Sequence, residues 1–76
     1  MKKNTRIITK TLKGAIARAG YSGLSFAKLT GIPYQTLLYR YKHPATWRFC
    51  EWGSVERHLY FNDSERETIR KEMAKL

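Results

Sequence analysis

Residues 21–44, YSGLSFAKLTGIPYQTLLYRYKHP, carry the punctuation of two short helices joined by a tight turn. Ser22, with Ser25 three residues on, fits the cap of a first helix, and Phe26, Ala27 and Thr30 fall where an inward stripe would lie. Gly31 stands where a helix end needs left-handed backbone, Ile32 is placed to plug the turn, and Pro33 has the fixed φ that suits the start of a new helix. The second helix spans Tyr34 to about Lys42. Leu37 and Tyr41, four apart, face inward, which leaves Tyr34, Gln35, Leu38, Tyr39 and Lys42 on the outside or its flanks.

The flanking segments also read as helices, so the expected fold class is all-α. From Thr5 to Ala19, Ile8, Leu12, Ala15, Ile16 and Ala19 recur at offsets of three and four, and Gly20 closes the helix. Beyond Pro44, Phe49, Trp52, Val55 and Leu59 set a fourth stripe. Gly53 inside it costs about 1 kcal/mol of propensity and suggests a close backbone approach. Asn62 and Glu65 form a variant capping box for a last helix running through Ile69, Met73 and Leu76. Residues 1–4 read as a flexible basic arm and 5–76 as one five-helix domain.

Charge is distributed unevenly. The chain holds 15 Lys and Arg against 6 Asp and Glu, a formal +9, and no carboxylate precedes Glu51. Ten of the basic residues fall in that carboxylate-free stretch, so positive potential gathers on the part carrying the two-helix unit, as a polyanion-binding surface requires. Seventy-six residues allow one modest core. Cys50 is the only cysteine, so it can form no disulfide within the chain and reads as a small core hydrophobe in a reducing compartment. Cys50, His43 and His58 lack paired-ligand spacing, so no metal is expected, nor any cofactor. The opening MKKNTRIITK has no long apolar stretch and nothing later reaches transmembrane length; the expected location is the cytoplasm, with no membrane partner. No carboxylate pair, glycine-rich phosphate loop or serine with a recognisable base points to an enzyme.

Ala27, Gly31, Ile32 and Leu37 stand at the spacing that marks the lambda-repressor-like helix-turn-helix domains of Cro/CI-type phage regulators, and the chain resembles that family from roughly Ser22 to Leu59. The resemblance implies a compact five-helix domain with its helix-turn-helix at about residues 22–42, binding a double-stranded DNA operator by laying helix 34–42 in the major groove. Two positions depart from the pattern. Arg40 occupies a place usually held by an apolar core residue, and Gly23 replaces a glutamine that often contacts phosphate.

On that reading Gln35 is the candidate for pairing with adenine, while Tyr34, Thr36, Leu38 and Tyr39 complete a base-reading set, with a place at the margin of the core as the equal alternative for Leu38. Lys28, Arg40, Lys42, His43 and Arg48 are candidates for phosphate, where they fix position without reading sequence. Trp47, Phe49 and Trp52 are expected in the core instead of stacked on bases. A single copy supplies one recognition helix, so a homodimer through Tyr60, Phe61, Ile69 and Met73 is one expectation; the other is that the stripe of the last helix is consumed by the protomer's own core and the helix serves as a brace. The rival reading is a protein-interaction module that modulates a partner repressor through the outer apolar face of Leu38, Tyr39, Tyr60 and Phe61. Double-helical RNA fits less well, because its narrow major groove does not admit a helix.

Overall fold

The computed structural model describes residues 2–76, and those residues form five α-helices and one 3₁₀ turn with no strand among them. In chain order these are α1 (Lys3–Arg18), α2 (Gly23–Thr30), α3 (Tyr34–Lys42), the 3₁₀ turn Pro44–Thr46, α4 (Phe49–His58) and α5 (Asp63–Met73).

Helix α1 buries Thr5, Ile8, Thr9, Leu12, Ala15 and Ile16 along one stripe. It ends in a Schellman motif: Gly20, at φ 89°, and Tyr21 donate their backbone N–H groups to the carbonyls of Ala17 and Ile16 at 3.0 and 3.1 Å. The chain then reverses into α2, where Ser22 accepts from the Ser25 backbone N–H at 3.1 Å and Ser25 Oγ accepts from the Ser22 N–H at 2.9 Å. Gly31 ends α2 at φ 78°, a left-handed conformation that costs an L side chain roughly 1–2 kcal/mol, and Ile32 is buried in the turn. Pro33 is the N-cap of α3, and its carbonyl accepts from Leu37 N–H at 2.9 Å. Asn62 and Glu65 complete the capping box of α5.

The core gathers between α1 and the rest. Phe26, Ile8, Leu12, Leu37 and Val55 are fully enclosed, joined by Ala27, Tyr41, Leu59, Phe61 and Ile69. Helix α5 makes its main packing against α1, while α4 leans on α2. Two hydroxyls tie the helices where backbone carbonyls at helix ends lack an intrahelical partner. Thr9 Oγ1 donates to the Tyr41 carbonyl at 2.6 Å, and Ser54 Oγ donates to the Thr30 carbonyl at 3.1 Å.

Several expectations are corrected. Helix α1 begins at Lys3, so Lys3 and Asn4 belong to it instead of a flexible arm; Met1 lies outside the described residues. Phe49 is 99% exposed and Cys50 is exposed, whereas Trp47 and Trp52 pack against the core with ring centroids 5.2 Å apart. A Cβ on Gly53 would meet no atom within 4 Å, so no close approach explains that glycine. Phe61 and Ile69, two of the residues open to a dimer contact, are buried in the protomer's own core, where α5 packs chiefly on α1. Met73 is partly covered by the same core, and of that set Tyr60 alone is fully free, at 76% exposure.

Phe26→Ala should therefore lower unfolding free energy by about 3–5 kcal/mol in urea titration, and Gly31→Ala by about 1–2 kcal/mol. Ile69→Asp should unfold the free chain at any protein concentration; a folded Ile69→Asp variant by circular dichroism would contradict the placement of Ile69 in the core.

Candidate nucleic-acid interface

The outer face of α3 follows from its inner one. With Leu37 and Tyr41 buried, a 100° step per residue places Gln35, Tyr39, Lys42 and His43 on the opposite side, and all four are exposed. Gln35 lies in the first turn of α3 and is exposed. Tyr39 is held between neighbours: its ring lies 4.5 Å from the His43 ring, and the Arg40 guanidinium sits 5.8 Å from its centroid. Thr36 is partly buried at the edge of this face.

Tyr34 and Leu38 turn toward α1. Together with Lys13, Ile16, Gly23 and Tyr41 they line a shallow cleft of about 290 Å³, and Leu38 packs on the core. Leu38 is thus a core-margin residue and not part of the outer face. Gly23 has a local reason here: a Cβ at this position would stand 3.4 Å from the Tyr34 ring, so a larger residue would crowd the ring. Burial pushes the Tyr41 hydroxyl up to about 12, with a smaller contribution from Tyr34, so Tyr41 stays neutral across the physiological range. Lys13 places its ammonium 5.1 Å from the Tyr41 ring. Lys13 is the cation that sequence reading passed over, since nothing in the spacing of α1 says that it runs beside α3.

Arg40, expected to contact phosphate, is used inside the fold. Its Nε donates to Glu51 Oε1 at 2.9 Å and its Nη2 to Oε2 at 3.3 Å, while Nη1 reaches Thr46 Oγ1 at 3.1 Å. Its side chain is 12% exposed and that of Glu51 15%. This two-point pair accommodates a charge at a position where an apolar side chain would otherwise face α4. Glu51 also accepts the Arg48 backbone N–H at 3.1 Å, capping α4. The Arg40 hydrogen bond, aided by the Arg48 backbone, holds the Glu51 carboxyl below the ordinary carboxylate range.

The pair matters for the field around α3, because Glu51 is the first carboxylate in the chain and Arg40 neutralises it. Arg18 is similarly occupied by Glu65, at 2.8 Å. The other basic residues preceding Glu51 are Lys2, Lys3, Arg6, Lys10, Lys13, Lys28, Lys42 and Arg48, all exposed and without an ion-pair partner among the described residues. Lys28 stands in the last turn of α2 and Lys42 in that of α3. Arg48 lines the rim of an apolar groove between the 3₁₀ turn, α4 and α5.

Among the described residues no three His, Cys, Asp or Glu side chains come together as a metal site, and no helix is long and apolar enough to cross a membrane. Comparisons with family models, curated proteins and solved structures return no match.

The Arg40 pair generates a stability prediction with a definite sign. Glu51 has a folded pKa below its ordinary value of 4.5, so its contribution is complete above that value and is lost as pH falls through the folded pKa. Glu51→Gln should cost about 1–2 kcal/mol at pH 7 by leaving Arg40 without its counter-charge and weakening the α4 cap. The gap from the parent chain should close as pH drops below 4.5. A gap independent of pH in denaturant titrations would contradict the pairing.

Proposed function

We propose that this chain is a sequence-specific duplex-DNA-binding regulator of the Cro/CI type, reading the major groove with α3. The observation that carries the reading is the combination on one half of the chain: an outer α3 face of Gln35, Tyr39 and Lys42, together with eight exposed unpaired cations and a first carboxylate already neutralised by Arg40. Phosphate contacts supply sequence-independent affinity, and amide or aromatic contacts to base edges supply choice. Gln35 has the donor and acceptor pair that matches adenine N6 and N7. Lys42, Lys28 and His43 flank it as backbone contacts, and Lys13 joins this set from α1. Arg40 braces the far side of α3 through Glu51, and Tyr34 and Leu38 line the cleft between α3 and α1.

The pairing of α2 and α3 through a three-residue turn favours this reading, because α2 can rest across the backbone while α3 enters the groove.

Selection from random duplexes followed by gel shift tests the proposal. A selected site should be bound with a log–log salt slope on the order of −5 to −7, from about five to eight phosphate contacts per bound unit. Gln35→Ala should cost about 1–3 kcal/mol on the selected site and little on random duplex, whereas Lys42→Ala should weaken both alike. A slope near zero, or identical behaviour of the two variants, would overturn the assignment.

A further inference from the structure

We propose that the groove between the 3₁₀ turn, α4 and α5 docks an acidic amphipathic helix of a partner protein, an activity beyond the DNA-binding reading and independent of it. The groove encloses about 790 Å³ and is floored by Trp47, Trp52, Phe61, Ile69 and Met73. Its aromatic wall is pre-formed: Trp47 meets Trp52 edge-on at 5.2 Å, and Trp52 stacks on Phe61 at 6.2 Å and 12°. Rigid aromatic surface of this kind loses little conformational freedom on binding and is typical of the centre of an interface. Phe49, 99% exposed, and Leu76, 44% exposed, stand at the edges, where a seated helix would cover them.

Charge selects the occupant. The rim carries Arg48, Arg66 and Arg70 against the single carboxylate of Glu56. Arg66 is held in place by its Nε donating to the Phe61 carbonyl at 3.2 Å, which leaves its terminal nitrogens for a partner. Arg70 pairs with Glu67, but the side chains are 74% and 62% exposed, and so open a pair exchanges readily for an incoming carboxylate. A second copy packed groove to groove would set arginine rim against arginine rim between two bodies of formal charge +9, a repulsive arrangement. A helix with large apolar residues at i, i+3 or i+4, and i+7, flanked by Asp and Glu, satisfies both the floor and the rim.

The test is selection of displayed 16-residue peptides on the full chain, with excess random duplex DNA present to occupy the basic surface around α3. Enriched peptides should carry two or three large apolar residues at helical spacing and a net negative charge. The best of them, measured by fluorescence anisotropy, should bind at least tenfold more weakly to Phe49→Ser and to Arg70→Glu, and unchanged to Gln35→Ala and Lys42→Ala. Phe49 and Arg70 are exposed, so both variants should keep the parent's circular dichroism spectrum. Absence of enrichment, enrichment of basic or uncharged peptides, or equal binding to all variants would overturn the proposal. So would a free chain that sediments as a dimer and becomes monomeric on Phe49→Ser, since the groove would then belong to a second copy.

Discussion

The left-handed turn at Gly31 is the constraint on which the arrangement of this domain depends. One residue at φ 78° redirects the chain by the angle that brings α3 across α2, and Ile32 locks that angle by entering the core directly after it. Once the angle is set, Leu37 and Tyr41 have one inward direction available, and the outer face of α3 follows by helical geometry. Ala27 contributes from the other side: a small buried residue one turn before Gly31 lets the helices approach closely. The functional proposal for α3 therefore rests on backbone conformation at one position and on side-chain volume at two.

Helix α1 serves as the common wall. Its stripe meets α5 most extensively and also touches α2 and α3, so one amphipathic surface organises elements far apart in the chain. The hydrogen bond from Thr9 to the Tyr41 carbonyl fixes the last turn of α3 to this wall, and a small polar residue in a buried stripe becomes intelligible through it. Arg18 does the same at the other end, reaching both Glu65 and the Tyr60 carbonyl. For so small a chain, these directional contacts give the shared hydrophobic stripe a defined register that apolar packing alone specifies weakly.

Electrostatics and packing are partitioned between the two halves of the chain. The first fifty residues hold cations that are mostly unpaired, while the carboxylates, all at Glu51 or later, largely spend themselves on ion pairs and helix caps. Arg40 and Glu51 join the halves. This pair converts an apparently misplaced charge into a bracket between α3, the 3₁₀ turn and α4, and it neutralises the first carboxylate of the chain beside α3.

The features legible from the amino-acid order alone were local ones. The Ser22 and Asn62 capping boxes, the glycine ends of α1 and α2, the span of α3 and the inward pair Leu37 and Tyr41 all arise from interactions among residues three to five apart, where helical periodicity and backbone preference act directly. The net charge and its asymmetry are properties of composition and order. Tertiary structure decided everything that depends on which surface meets which. Phe49 and Trp52 lie on one helical stripe, yet Trp52 packs on the core beside Trp47 while Phe49 stands at the surface. Ile69 lies on a stripe that could face its own protomer or another, and only the position of α1 settles that choice. Arg40 looked free for phosphate because its partner lies eleven residues on, beyond a turn that periodicity does not reveal. Long-range contacts are set by competition among several apolar surfaces for one small core, and that competition is resolved in space, with no trace in local spacing.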